Sequence, residues 1–418
     1  MATASDGGEA YAGVLGTNND WNQATATTDG IAHAGGGGSD SAYNIADASG
    51  GGEARAGTFS SDSDSNQATA TTGGIAWAGT NATGNTSNVA IASDGGQSYA
   101  GSDSTNSDFN QASATTGGRA QAGVFGDGNS YNTATASDYG VAFSGQQGDG
   151  NVHNTATASA GGHADSGVLG DGNSYNTATA SDGGVAVSGF QGDDNAYNSA
   201  TASTGRAEAG SFGDDNTHNL ADATVGGGAY SGGGSDGNSY NNATATTGGV
   251  AAAGTGGTGG HTFNNAEASD LGEAYSGVGG ANASFNNATA TTDGLAQAGV
   301  DGDGNGNNTA TASDGGKAFA GVTGTDNDFN SATATTGGQA EAGNNGSENT
   351  FNTAEASSGG FAAAGTLGAG NDFNTATATQ NAAAFAGVDG IDNDSASASA
   401  TGAGNLAVAN YGNDVTAP

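Results

Sequence analysis

The chain has 418 residues, of which 82 are Gly and none is Cys, and 42 acidic residues stand against four basic ones for a formal charge of −38. Bulky aliphatic side chains are too scarce to fill a large core, and no disulfide framework is possible. The charge disfavours nucleic acid and anionic membranes as partners, and leaves divalent cations, a basic partner or plain solubility as its uses.

No stretch is long and apolar enough to span a membrane, so no membrane insertion is expected. No signal peptide precedes the first repeat, which begins directly after Met1, and the expectation is a piece of a longer protein. Location is read from composition alone as extracellular or cell surface.

From Ala2 to near Tyr411 a 22-residue motif recurs about nineteen times. A typical unit starts Tyr131-Asn-Thr-Ala-Thr-Ala-Ser137, passes a Gly turn, continues Val141-Ala-Phe-Ser-Gly145 and closes with a loop. A fixed period of this length is the signature of a solenoid, in which each unit packs on its neighbours. Alternation of small and variable residues predicts two strands per unit, one like Asn132 to Ser137 and one like Val141 to Ser144. Gly pairs such as Gly117-Gly118 and Gly183-Gly184 mark the turn between them. Ala is nearly constant and its neighbours vary widely, so Ala is assigned to the inside and Thr to the outside. One unit is a residue short near Thr204-Gly205-Arg206 and one is a residue long between Thr255 and His261. Both changes are expected in turns, because a slip inside a strand would exchange its faces.

The predicted fold is therefore all-β: a single β-solenoid of about nineteen 22-residue coils with a thin core lined by Ala and Asn. At a strand spacing of about 4.8 Å it would form a rod of about 90 Å. Residues 1–402 form the repeat domain, and 403–418, where Leu406, Val408 and Tyr411 depart from the motif, form a divergent C-terminal cap or tail. An Asn column runs from Asn22 through Asn154 to Asn374 and breaks at Ala396. Its expected role is a buried ladder of amides bonded from coil to coil. A Gly column from Gly13 through Gly167 to Gly387 predicts a turn with positive φ or a close approach.

Outward Thr rows come next, as Thr-x-Thr pairs. They are Thr25 with Thr27, Thr69 with Thr71, Thr244 with Thr246, Thr289 with Thr291, Thr333 with Thr335, and Thr377 with Thr379. On a strand, residues i and i+2 share a face about 7 Å apart, and the next coil repeats them at about 4.8 Å. At these residues the chain resembles the ice-binding β-solenoids, and the resemblance implies ice as a ligand of this face. Asp47, Ile91, Asp222, Glu267 and Glu355 interrupt the rows.

The outward column of strand two carries Tyr11, Tyr99, Phe143, Tyr230, Tyr275 and Phe319 in alternate coils, with Trp77 and Phe385 between. The coils between otherwise hold small or polar residues. These eight are the candidate assembly face, since exposed apolar rows mark interfaces. A second aromatic column, including Trp21, Tyr43, Phe109, Tyr131, Tyr175 and Tyr197, precedes the Asn. Strand parity turns it outward, while its place at a corner leaves an inward fold open.

The loops are rich in Asp and Asn. Asp127, Asp171, Asp193, Asp194, Asp214, Asp215, Asp303 and Asp326 are candidate calcium ligands, because oxygen-rich turns suit that ion. They are similar to the turns of the Gly/Asp-rich calcium-binding repeat solenoids. Calcium is the one candidate cofactor. The five His residues, His33, His153, His163, His218 and His261, share no metal-ligand spacing, and columns of repeated residues provide no nucleophile–base pair. No enzyme is expected. The leading expectation is a non-enzymatic structural protein that packs on itself, laterally or end to end, as a filament or adhesive surface rod. The alternative is an ice-binding protein.

Overall fold

The computed structural model describes residues 1–417 apart from positions 60, 82, 183, 226, 248–249, 271–272, 292–294, 315–316, 337–338, 359, 389–391 and 411–413. Gly183 of the turn signal and Tyr411 of the tail lie outside the described residues. Two compact units divide the chain, Met1–Glu208 and Ala209–Pro418.

Each unit is a parallel β-solenoid. Among the described residues of the first, the Asn-x-Ala-Thr-Ala stretch forms ten strands, from Ala2–Ala4 through Thr133–Ala136 to Ser199–Ser203. In the second it again forms ten, from Leu220–Thr224 to Asp414–Ala417. Successive strands pair like residue to like residue: Ala134 lies beside Ala156, and Ala156 beside Ala178. Inside the stack the two Ala of a strand are buried while the Thr between them faces out, as at Ala178, Thr179 and Ala180. The period-2 pattern thus sets the face, and the constancy of Ala follows from a core too thin for larger side chains.

The second predicted strand is extended only in places, as at Phe361–Ala363 and Ala383–Ala386. Elsewhere it makes single bridges at its first and fourth residues, Val141 to His163 and Ser144 to Ser166. The reason lies at the fourth position, where φ is +91° at Ser144 and +103° at Ser166. That conformation ends the extended run and turns the corner. Ala142 and Ser144 still point inward as expected, both fully buried.

The long turn is absorbed as the register required. Ala221 pairs with Ala243 and Ala243 with Ala266, a step of 23 rather than 22 with no exchange of faces. The described residues of segment 403–418 continue the winding. Leu406–Ala409 pairs with Ala383–Ala386, and Asp414–Ala417 with the strand that starts at Ser397.

The Asn column forms the ladder. Asn154 donates through Nδ2 to Asn132 Oδ1 (3.1 Å) and to the Asn173 carbonyl (2.8 Å). Its Oδ1 accepts from the backbone N–H and the Nδ2 of Asn176 (3.1 and 3.2 Å). Each buried amide is therefore satisfied by the coils on either side. Where the column breaks, the Ala396 N–H still bonds Asn374 Oδ1 (2.9 Å). The Gly column packs against this ladder. A Cβ on Gly145 would sit 2.9 Å from Asn132 Nδ2, so close approach explains the glycine.

Candidate functional site

The Thr face is a flat parallel sheet. All twelve candidate Thr residues are half-buried by their stacked neighbours. The first of each pair, Thr25, Thr69, Thr244, Thr289, Thr333 and Thr377, lies within a strand and faces out. The second residues divide. Thr27 and Thr379 close their strands, and they pair with Ser49 and Ser357 in the neighbouring coils. Thr71, Thr246, Thr291 and Thr335 fall beyond the strand ends, which are Ala70, Ala245, Thr289 and Ala334. Thr71 still continues the ladder by one bond, its N–H donating to the Ala92 carbonyl (2.9 Å). Its carbonyl accepts from the Gly74 N–H (2.9 Å) and opens the turn, as the Thr27 carbonyl does with the Gly30 N–H (3.0 Å).

Charge enters where expected: Thr25 stands beside Asp47, Thr244 beside Glu267 and Thr333 beside Glu355. A longer uncharged stretch lies elsewhere, in the first unit. Thr133 and Thr135, Thr155 and Thr157, Thr177 and Thr179, and Ser199 and Thr201 stack in register. Ser137, Ser159, Ser181 and Ser203 extend the same coils by one outward position. These Thr-x-Ser coils carry a wider hydroxyl grid than the Thr-x-Thr pairs.

The aromatic column before the Asn resolves outward and forms a stacked ribbon beside that grid. Ring centroids are 4.9 Å apart for Phe109–Tyr131 and Tyr131–His153, 4.7 Å for His153–Tyr175 and 4.9 Å for Tyr175–Tyr197. In the second unit the same ribbon joins His218, Tyr240, Phe263 and Phe285, then Phe329, Phe351 and Phe373. About half of each ring stays exposed, and Trp21 is 78% exposed. Every one of these residues has φ between 55° and 60°, a region that bulky side chains rarely occupy. The faces cover one another, so the ribbon offers ring edges to its surroundings.

The strand-two aromatics are placed differently. Tyr11 is exposed, but Trp77, Tyr99, Phe143, Tyr230, Tyr275, Phe319 and Phe385 are half-buried. Gln121 and Asp165, in the coils beside Phe143, are buried. Alternation along this column lets each ring cover the smaller residue next to it.

The loop acids serve the winding. The Asp127 N–H donates to Asp149 Oδ1 (2.8 Å), the Asp149 N–H to Asp171 Oδ1 (2.7 Å) and the Asp171 N–H to Asp193 Oδ1 (2.9 Å). In the second unit the Asp214 N–H bonds Asp236 Oδ1 (3.0 Å) and the Ala281 N–H bonds Asp303 Oδ1 (2.8 Å). Asp194, Asp215 and Asp326 hold positive φ at the turns. Among the described residues no three acidic, His or Cys side chains gather where they could hold a metal ion.

The loops also carry a second inner ladder, which the reading of them as Asp- and Asn-rich turns did not single out. Asn129, Asn151, Asn173 and Asn195 are fully buried, and the Asn151 N–H bonds Asn129 Oδ1 (2.7 Å). The signal was available: these residues recur three positions before the first Asn column. His261 takes this place in the long turn of the second unit. It is fully buried, and neither ring nitrogen has a hydrogen-bond partner among the described residues. Burial lowers its pKa, with the Ala283 carbonyl acting the other way. In the first unit burial raises the Asp165 carboxyl to about 7, partly opposed by a hydrogen bond from Gln146. His163 Nε2 lies 3.2 Å from it.

The site that emerges is a surface: an uncharged hydroxyl grid bordered by a ribbon of ring edges. Comparison of the chain with protein-family models, with curated proteins and with solved structures finds no match, so its function is argued from this geometry alone.

Proposed function

We propose that the protein is a non-enzymatic structural β-solenoid that associates laterally with copies of itself, as a filament or surface rod outside the cell. The observation that carries this reading is the face from Phe109 to Ser203. Five coils present four outward columns there, and none of their residues is Asp, Glu, Lys or Arg, on a chain of net charge −38. Such a face removes the self-repulsion that the rest of the surface imposes.

Its size sets the mode of association. Three column spacings of about 6.8 Å and four coil spacings of about 4.8 Å give about 400 Å². A specific pairwise interface needs about 800 Å² per partner. One patch is thus too small for a stable dimer, and many weak repeats acting together are required. Electron microscopy across a concentration series tests this. Lateral bundles are expected, strengthened by added salt as it screens the acidic surface. They are expected to vanish when Tyr175→Lys and Thr179→Lys are combined, which places two charges on the face. Isolated particles at every concentration and salt would overturn the reading.

A second reading rests on the same Thr and Ser grid, whose regular spacing on a flat sheet suits ordered water. Ice binding predicts thermal hysteresis from the unassembled protein, lost in Thr157→Lys. No hysteresis in the parent protein removes it.

A further inference from the structure

Opposite the ring ribbon, the same coils of the first unit hold a second feature that the repeat does not require. The outward position after the second inward Ala is Ser or Thr, and the two alternate from Ser5 to Thr115. Then Ser137, Ser159, Ser181 and Ser203 follow one another in four successive coils, whereas nowhere else in the chain do two neighbouring coils both hold Ser there. The ladder runs on through them, the Ser137 N–H donating to the Ala158 carbonyl and the Ser159 N–H to the Ala180 carbonyl (both 3.0 Å). These four coils are also the ones that carry the ring run Tyr131, His153, Tyr175 and Tyr197.

The two columns lie at opposite margins of the uncharged face and differ in height. Rings at one margin are about half exposed and point their edges outward. At the other margin a Thr would add a methyl group to every second coil, and its absence leaves a continuous shelf of short hydroxyls. Both columns repeat at the coil spacing of about 4.8 Å, so a row of rings finds one Ser for each ring. The phenol hydroxyls are not needed for stacking, because Phe263 and Phe285 stack at 4.9 Å in the second unit, the distance between Tyr175 and Tyr197. Tyr on the uncharged face thus adds a donor and an acceptor at the ring edge, which Ser hydroxyls can match.

We propose that the ring ribbon of one copy seats along the Ser shelf of a second, parallel copy, with like coils side by side. This contact rests on the lateral association proposed above and gives it a polarity. An antiparallel neighbour would bring ribbon against ribbon, two ridges that hold the copies apart. Each copy offers one ribbon and one shelf, so the contact passes from copy to copy, as an open heterologous interface does, and bundles grow without closing. Asp138 and Asp182 come directly after the shelf in the sequence. A phenol O–H meets a carboxylate as a donor, so the ring edge tolerates them where a second carboxylate would not.

The test uses two variants that each carry two new charges. Tyr131→Lys with Tyr175→Lys alters only the ribbon, and Ser137→Glu with Ser181→Glu only the shelf. At a salt concentration where the parent protein bundles, each variant alone should stay dispersed in electron micrographs. An equimolar mixture should bundle again, because Lys of one copy then meets Glu of the same coil in the other. A third variant, Ser159→Ile with Ser181→Ile, fills the shelf without charge and leaves the ribbon intact, so the test does not depend on how the Lys variant folds. Added apolar surface would strengthen unspecific association, yet here it should abolish the bundles. A dispersed mixture of folded variants beside a bundling parent, or an Ile variant that bundles like the parent, would overturn the ribbon-on-shelf contact and leave lateral association standing. A parent that never bundles would overturn both.

Discussion

Tyr175 shows how one residue can be both strained and retained. Its φ is +55°, where an L side chain costs about 1–2 kcal/mol. Stacking on His153 and Tyr197 returns about 0.5–1.5 kcal/mol per ring pair, which offsets the strain. Replacement separates the two terms. Tyr175→Ala loses both stacks and keeps the strain, whereas Tyr175→Gly loses the stacks and relieves it. Glycine should therefore be the milder change by about 0.5–1 kcal/mol despite its greater chain entropy, the reverse of its usual rank in a strand. Melting temperatures of the two variants check the order, and an alanine variant at least as stable as the glycine one would contradict it.

Asp165 and His261 supply the pH dependence at the same scale. The folded-state pKa of Asp165 is about 7, above its unfolded value, so the folded form holds its proton more tightly. The stability it contributes is complete below the unfolded pKa and is lost as pH rises towards 7. Asp165→Asn should raise the melting temperature at pH 8 and change it little at pH 3. His261 works in the other direction. Its folded pKa is depressed by burial, so the second unit should lose stability as pH falls below 6.5, and His261→Asn, which restores the ladder residue, should remove that loss. A melting curve of the Asn variant with the same acid sensitivity as the parent would refute this assignment.

At the scale of the element, the Asn rung is what holds one coil to the next. Asn154→Ala orphans the buried Asn176 N–H and takes one of two partners from the Asn173 carbonyl and the Asn176 Nδ2, which keep the Val152 N–H (3.1 Å) and the Asn195 carbonyl (2.7 Å). An orphaned buried group costs about 1–3 kcal/mol, so a local loss of that order is expected. Contacts run between neighbours, and the damage should stay near the lesion. Hydrogen exchange should show protection lost around Asn132 and Asn176 and kept around Asn22. Uniform loss along the first unit would instead mean that its coils unfold as one.

At the scale of the whole molecule, charge and face act together. A chain of −38 repels its copies except where a face carries no charge, and the run from Phe109 to Ser203 is such a place. Lateral bundling should therefore strengthen with salt and as pH approaches the carboxylate range, where the repulsion fades. Turbidity against pH and salt measures this, and bundling that weakens as salt rises would point to attraction between opposite charges instead.

The winding, its register and the inward Ala were legible in the sequence because each is a statement of period. A strand alternates its faces every residue, and a coil repeats its neighbours every 22, so constancy along a column marks the packed side. The first Asn ladder was legible for the same reason. Other features were decided only in three dimensions. The pre-Asn rings turn outward because their backbone enters positive φ at the corner, which parity does not encode. Asn129 and Asn151 turn inward from what reads as a polar loop, because the loop folds back over the first ladder. Trp77, Ser102, Arg119 and Gln121 come from three successive coils and meet in one cleft only because stacking brings residues about 22 positions apart to neighbouring places. A period predicts which residues are alike; only the folded chain decides which unlike residues become neighbours.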